Sequence, residues 1–164
     1  MTSSTTISLR PFTTDDTSFF AALASDERVT RFVGDGLSWG FDMIATRVRI
    51  ALDETPEDTV GAVRWFLAVD DREPVGLLVS TRREPGVEIG YWVSPEHWGR
   101  GVAGAIVEQA LTVVPEVFDS ERLTAQVDPE NAASIRVLTR RGFHFASTAA
   151  GLDQYVWRPK DDRP

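Results

Sequence analysis

Between a strand-like pattern and a helix-like one, the chain runs Gly99-Arg100-Gly101-Val102-Ala103-Gly104, and this run constrains the fold more than any other segment. Glycine tolerates positive φ and lets the backbone come close to a ligand. A helix N-terminus presents unpaired N–H groups and the positive end of the helix dipole. A glycine-rich run that opens a helix therefore fits two structures: a tight strand-to-helix turn with no ligand, or a seat for an anion such as a diphosphate. Upstream, Val87, Ile89, Tyr91 and Val93 alternate with Glu88, Gly90, Trp92 and Ser94, the period of a strand with two distinct faces. Pro95 to Trp98 forms the connecting loop. Downstream, Ala105 to Val114 places Ile106, Ala110 and Val113 on one helical stripe and is expected to end before Pro115.

The glycines also spell G-x-G-x-x-G, so a nicotinamide-dependent oxidoreductase is one reading. The surrounding pattern argues against it. The dinucleotide fingerprint follows its strand directly, whereas Pro95 to Trp98 intervenes here. The preceding segments read as hairpins rather than alternating strands and helices, although Asp128 at the next strand end could mimic the ribose-binding acid. No Gly-Lys-Ser/Thr follows the loop, so the Walker pattern is absent.

The remaining chain supplies the frame. Ile7 to Pro11 reads as a first strand, and Thr13 to Asp16 as a cap with first-turn carboxylates. Phe19 with Leu23 and Phe20 with Ala24 follow at helical spacing, and a second helix includes Phe41, Ile44, Val48 and Leu52, after the loop at Gly34 to Gly36. Val63 to Val69 and Val75 to Ser80 read as a hairpin around Asp70 to Pro74, and Arg82 to Gly86 turns into the strand Val87 to Ser94. Beyond the glycine-led helix, Arg122 to Val127 is a strand. Asp128 to Asn131 opens a short helix that buries Ile135, Val137 and Leu138 and ends at Gly142. Two strands close the chain, one with Phe143 and Phe145, the other with Tyr155 and Trp157. The expected architecture is an α+β domain, a mixed β-sheet flanked by helices in the order β-α-α-β-β-β-α-β-α-β-β. The 164 residues suit one domain, with a core from about residue 7 to 158.

Composition removes several chemistries. With no cysteine there is no disulfide, no thiolate zinc site and no cysteine nucleophile, and two histidines, His97 and His144, are too few for a histidine-rich metal site. No metal is expected. A net charge of −8 opposes nucleic acid and an anionic membrane surface. Met1 to Thr6 lacks the features of a signal peptide, and no apolar run approaches a membrane span, so the expected location is cytoplasmic.

Two segments together resemble the GNAT N-acetyltransferases. Glu88-Ile89-Gly90-Tyr91-Trp92-Val93-Ser94-Pro95-Glu96-His97-Trp98-Gly99-Arg100-Gly101-Val102-Ala103 looks like the acetyl-CoA-binding segment of that family, and Asn131-Ala132-Ala133-Ser134-Ile135-Arg136-Val137-Leu138, closing with Arg141-Gly142-Phe143, like its next segment. The wording, with Ser8-Leu9-Arg10-Pro11-Phe12 and Asp15-Asp16, resembles the branch that includes the ribosomal-protein N-terminal alanine acetyltransferases. The resemblance implies a GNAT-like sheet whose fourth and fifth strands splay apart to receive the pantetheine arm. It implies that Val93 offers its backbone to the arm and the acetyl carbonyl, and that the N–H groups of Arg100, Gly101, Val102, Ala103 and Gly104 hold the pyrophosphate, with the Arg100 side chain assisting. The implied reaction moves acetyl from acetyl-CoA directly to an amine acceptor, a protein N-terminus or a small molecule. The protein would act as a monomer or homodimer. A catalytically silent acyl-CoA-binding module is the alternative.

Individual residues then take roles. Glu88 is a general base, acting through water, or else a solvated or arginine-paired carboxylate. Asn131 caps its helix and can also bond the cofactor arm. Many relatives carry a tyrosine near position 138 that protonates the departing thiolate. Leu138 stands there instead, and Ser134 is the replacement in the resembled branch, or else a local backbone bonder. Trp98 reads as a packing residue, His97 as a loop residue, and Trp39, Trp65, Trp92 and Trp157 either line the acceptor cleft or fill the core.

Overall fold

The computed structural model describes residues 6–159. Seven strands form one sheet in the order β1-β2-β3-β4-β5-β7-β6. They are β1 (Ile7–Pro11), β2 (Val63–Asp70), β3 (Glu73–Arg83), β4 (Gly86–Val93), β5 (Leu123–Val127), β6 (His144–Ala149) and β7 (Leu152–Trp157). The helices are α1 (Thr17–Ala24), α2 (Glu27–Thr30), α3 (Phe41–Ala51), α4 (Val102–Phe118) and α5 (Ala132–Arg140). The expected mixed α+β sheet is therefore present, with one short helix more than the sequence pattern indicates. That helix, α2, is too short for an apolar period to register. It begins at a local cap, the Asp26 carboxylate accepting from the Arg28 N–H at 2.9 Å.

Strand alternation distributes apolar side chains to both faces of the sheet. One cluster includes Val87, Ile89 and Leu123 with Ile106, Ala110 and Phe118 of α4 and Leu138 of α5. The other joins Phe20 and Leu23 of α1, Ile44 and Val48 of α3, and Trp65 and Leu77 of β2 and β3. Both faces are thus covered by helices, as a sheet with two apolar faces requires.

The helix expected to stop before Pro115 runs through it to Phe118. Proline removes one N–H, but the i, i+4 stripe Ile106, Ala110, Val114, Phe118 continues past it and is fully buried. Burial of Phe118 outweighs the lost hydrogen bond. The helix ends where Asp119 turns left-handed at φ 50°.

At the first helical segment, Thr14–Asp16 forms a single 3-10 turn before α1. Its anchor is Asp16, whose carboxylate accepts from both terminal nitrogens of Arg10, at 2.9 and 2.8 Å, and from the Thr13 N–H at 2.9 Å. The guanidinium bonds hold the Asp16 carboxyl below the usual carboxylate range against the opposing effect of burial.

The sheet is interrupted in one place. β4 and β5 run parallel but pair only at Val87 with Leu123 and Glu88 with Thr124, and then diverge. Everything needed for a site lies around that divergence. No helix among the described residues is long and apolar enough to cross a membrane.

Candidate active site

Two cavities flank the opening between β4 and β5. The first, of about 640 Å³, is walled by Val93, Trp98, the α4 start from Gly101 to Gly104, and Ala133 and Val137 of α5. The second, of about 470 Å³, is walled by Glu88 to Trp92 of β4, Ala125 to Val127 of β5 with Asp128 just beyond it, and the loop at Phe32 to Gly34. Tyr91, Trp92, Asn131 and Ser134 line both. The two cavities therefore meet at these side chains.

The floor of the first cavity is the glycine run. Gly99 and Gly101 have φ of +78° and +77°, and nothing lies within 4 Å of where a Cβ would stand at either. The backbone is left-handed here and bare toward the cavity, with the first N–H groups of a 17-residue helix behind it. This is the geometry of a diphosphate seat, and the donor set fits it. Val102, Ala103 and Gly104 also line the cavity, whereas Arg100 is exposed and is not among the lining residues.

Gly104 differs from its neighbours. A Cβ there would run into the guanidinium of Arg141, with Cζ at 2.7 Å. Arg141 donates to the Val137 carbonyl at 3.3 Å and stands 3.7 Å from the Glu108 carboxylate. The last of three glycines thus makes room for a cation from the end of α5.

Val93 faces the opening. The Ser94 N–H donates to the Val75 carbonyl across β3 at 2.9 Å, so strand alternation turns the Val93 N–H and C=O the other way, toward β5. Its carbonyl is taken by the Trp98 indole N–H at 2.8 Å. Trp98 therefore lines one wall through a bond to the strand, but it is 48% exposed and packs in neither core, unlike the packing role expected of it.

On the α5 side, Asn131 accepts from the Ser134 N–H at 3.2 Å and caps the helix. It lines both cavities, so capping and ligand contact are compatible. The hydroxyls of Ser134 and Tyr91 lie 2.5 Å apart. Burial pushes the Tyr91 phenol above its ordinary value, while the bond to Ser134 and the charge of Arg141 pull it down. Leu138 is fully buried in the core and does not face the cleft. The cleft residue about one turn beyond Ser134 is Val137, not Leu138 as the simple four-residue spacing suggests.

Sequence reasoning missed Tyr91 and Arg141. Tyr91 sits on the strand face that buries Val87 and Ile89, and its hydroxyl is hidden in an apolar alternation. The signal was its place near the end of β4, beyond the last parallel pair, where that face stops being core. Arg141 closes the second family-like segment, but nothing in the sequence placed it at Gly104; only the packing of α5 on α4 brings it there.

Glu88 is half-buried, lines the second cavity and lies 3.4 Å from Arg83. The arginine-paired reading of this carboxylate is thus observed, and its place on the cavity wall leaves it within reach of a ligand there. Among the described residues, the only other carboxylate on that cavity wall is Asp128, and no arginine, lysine or histidine lines it. Beneath it Trp92 stacks on Phe20 at 5.6 Å and meets Trp39 edge-on at 5.1 Å, while Trp65 is buried in the core. His97 stands 3.5 Å from Glu73, and His144 is exposed on β6.

Known proteins share this fold and parts of its sequence pattern. The sequence pattern of the acetyltransferase (GNAT) domain matches residues 6–144. The uncharacterized N-acetyltransferase YoaA of Bacillus subtilis is 26% identical over 158 residues, covering 92% of this chain and 84% of that protein. Among solved structures, the fold superposes on AAC(6')-Ib in complex with ribostamycin and coenzyme A with a TM-score of 0.78 at 16% identity, covering 93% of each chain. It superposes on spermidine N-acetyltransferase from Vibrio cholerae in complex with CoA and spermine with a TM-score of 0.74 at 16% identity, covering 92% of each chain. At such identity these structures speak to the fold, while the family pattern speaks to the sequence. The chain belongs to the GNAT acetyltransferase family and is an acyltransferase with acetyl-CoA as its cosubstrate.

Proposed function

We propose that the protein transfers acetyl from acetyl-CoA directly to a primary amine at the junction of the two cavities. The observation that carries this reading is the shared lining by Tyr91, Trp92, Asn131 and Ser134. Two reactants held in adjoining cavities react without a covalent enzyme intermediate, and fixing their geometry supplies much of the rate.

The chain's own groups divide the work. The N–H groups at Gly101 to Gly104 receive the diphosphate. Arg100, exposed within the same glycine run, adds charge. The Val93 N–H polarises the acetyl carbonyl as negative charge develops on its oxygen. Glu88 removes a proton from the attacking ammonium through water, and Asn131 holds Ser134 beside the departing sulfur. A cavity whose charged walls among the described residues are Glu88 and Asp128 suits an acceptor that arrives as an ammonium ion. The similarity to polyamine and aminoglycoside acetyltransferases supports a small cationic amine. The resembled branch supports a protein N-terminus, and the same terminal amine would enter the same cavity.

Ligand-dependent stability tests the donor. Acetyl-CoA at a hundred times its dissociation constant adds about 2.7 kcal/mol, and each kcal/mol is worth roughly 2–4 °C in a chain of this size. We expect a rise of several degrees with acetyl-CoA and none with NAD. A shift with NAD alone would return the glycines to the dinucleotide reading.

A further inference from the structure

We propose that Tyr91 and Ser134 together form a two-hydroxyl proton relay to the leaving thiolate, in place of a single acid on α5. The inference rests on the transferase reading of the site and adds a residue that neither the sequence pattern nor the family likeness assigned.

The geometry is direct. Tyr91 comes from β4 and Ser134 from the first turn of α5, and their oxygens lie 2.5 Å apart across the mouth between the two cavities. A second contact joins the phenol to the Ser134 carbonyl at 3.4 Å. Ser134 is itself held by the Asn131 cap at 3.2 Å. Both side chains line both cavities, so the pair borders the place where a C–S bond would break.

Acidity explains why two hydroxyls are needed. A serine hydroxyl is far too weak an acid to give up its proton and stay an alkoxide. A phenol, at about 10, is within roughly two units of a thiol at about 8.5. Ser134 can therefore serve only if it receives a proton as it gives one. Tyr91 is placed to supply that proton. Burial keeps the phenol protonated in the resting protein, as a donor must be, and the nearby Arg141 guanidinium favours the phenolate that forms in passing.

The step balances. The ammonium first gives one proton through water to Glu88; the freed amine nitrogen bonds to the acetyl carbon, and the second proton it sheds on becoming an amide goes to solvent water. The C–S bond breaks and its electron pair stays on sulfur. Ser134 gives its proton to that sulfur and takes the proton of Tyr91 in the same movement. The phenolate is reprotonated from water in the open cavity. Tyr91 acts through Ser134 and is a positioning and relay residue, with Ser134 the one that meets the sulfur.

The test uses Tyr91→Phe, which keeps the ring and loses only the oxygen, with Ser134→Ala, the double variant and Ser134→Thr. Single-turnover acetyl transfer to an amine found by screening is measured with acetyl-CoA affinity by calorimetry and a proton inventory in mixed light and heavy water. We expect transfer to fall at least about tenfold in each single variant, with acetyl-CoA affinity unchanged. The double variant should be no slower than the worse single, because the two oxygens act as one unit. Ser134→Thr should restore most of the rate. The proton inventory should be bowed in the wild type and linear in Tyr91→Phe. Near-normal transfer in Tyr91→Phe would overturn the relay and leave Ser134 or solvent as the donor, and multiplicative losses in the double variant would overturn it equally. Should Tyr91→Phe not fold, Ser134→Ala and Ser134→Thr decide it, since a normal rate and a bowed inventory without the serine oxygen contradict the relay. A wild type that binds acetyl-CoA but acetylates no amine would instead contradict the transferase reading itself, and the relay with it.

Discussion

Arg141 occupies the space that a side chain at Gly104 would need, its guanidinium lying against the first turn of α4. The smallest residue at one helix end and a large cation at the other are thus two halves of one packing contact. Gly104→Ala improves intrinsic helix propensity by up to about 1 kcal/mol, and the group it meets is the far end of a flexible arginine, which can swing aside at small cost. The expected result is a Tm within a few degrees of wild type, with the guanidinium displaced from the first turn of α4. In Gly104→Ala with Arg141→Ala any loss should be smaller than the sum of the singles, because no arginine is left to displace. Additive losses would mean that the two residues do not share space.

Gly101 tests the diphosphate seat separately from packing. Nothing lies within 4 Å of its missing Cβ, so the obstacle to substitution is the backbone at φ +77°, not space. Asparagine tolerates that region better than other residues. Gly101→Asn should remain folded, with acetyl-CoA affinity down at least about tenfold, the 1.4 kcal/mol scale of one lost charge-assisted bond. Unchanged affinity by calorimetry would make the loop a turn and no more.

The frame was largely legible in the sequence because period carries it. The β2-β3-β4 meander, α4 and α5 each show a clean alternation or stripe, and the glycines mark the start of α4. Besides α2 and the place of Arg141, three features were not legible, each for a physical reason. Pro115 lies inside a helix because Phe118 is buried beyond it, a tertiary gain that local propensity cannot show. Tyr91 looked like core because its face is core for two residues upstream. Leu138 looked like a cleft position because a four-residue spacing ignores how far α5 is rotated, and that rotation depends on packing against α4.

Asp16 ties acid stability to one ion pair. Its carboxylate is depressed by the Arg10 hydrogen bonds, so folding favours the ionised form. This stabilisation is fully present above the unfolded-state carboxylate range and is lost as pH falls below that range and through the lower folded value. Asp16→Asn should lower stability at neutral pH by about 1–2 kcal/mol, the scale of a lost helix-capping carboxylate, and should flatten the acid limb of stability below about pH 4. Urea melts at pH 7 and pH 3 check both. An unchanged difference between the two pH values would mean that Asp16 does not carry the linkage.

Glu88 separates base catalysis from binding. Glu88→Gln keeps shape and removes the proton acceptor. We expect kcat to fall by about 10²-fold or more with acetyl-CoA affinity unaltered. Arg83→Ala, which removes the partner at 3.4 Å, should leave acetyl-CoA affinity unaltered and change kcat much less than Glu88→Gln does. Equal losses in both variants would show that Glu88 matters only as half of an ion pair.

The most direct measurement is acetyl-CoA turnover against a panel of primary amines, with free thiol and acetylated amine quantified together. The account predicts that CoA release depends on the amine, that each CoA formed is matched by one acetylated amine, and that no acetyl group stays on the protein. Acetyl-CoA binding without transfer to any amine, or an acetyl group lodged on the protein before the amine is added, would contradict direct transfer at the junction of the two cavities.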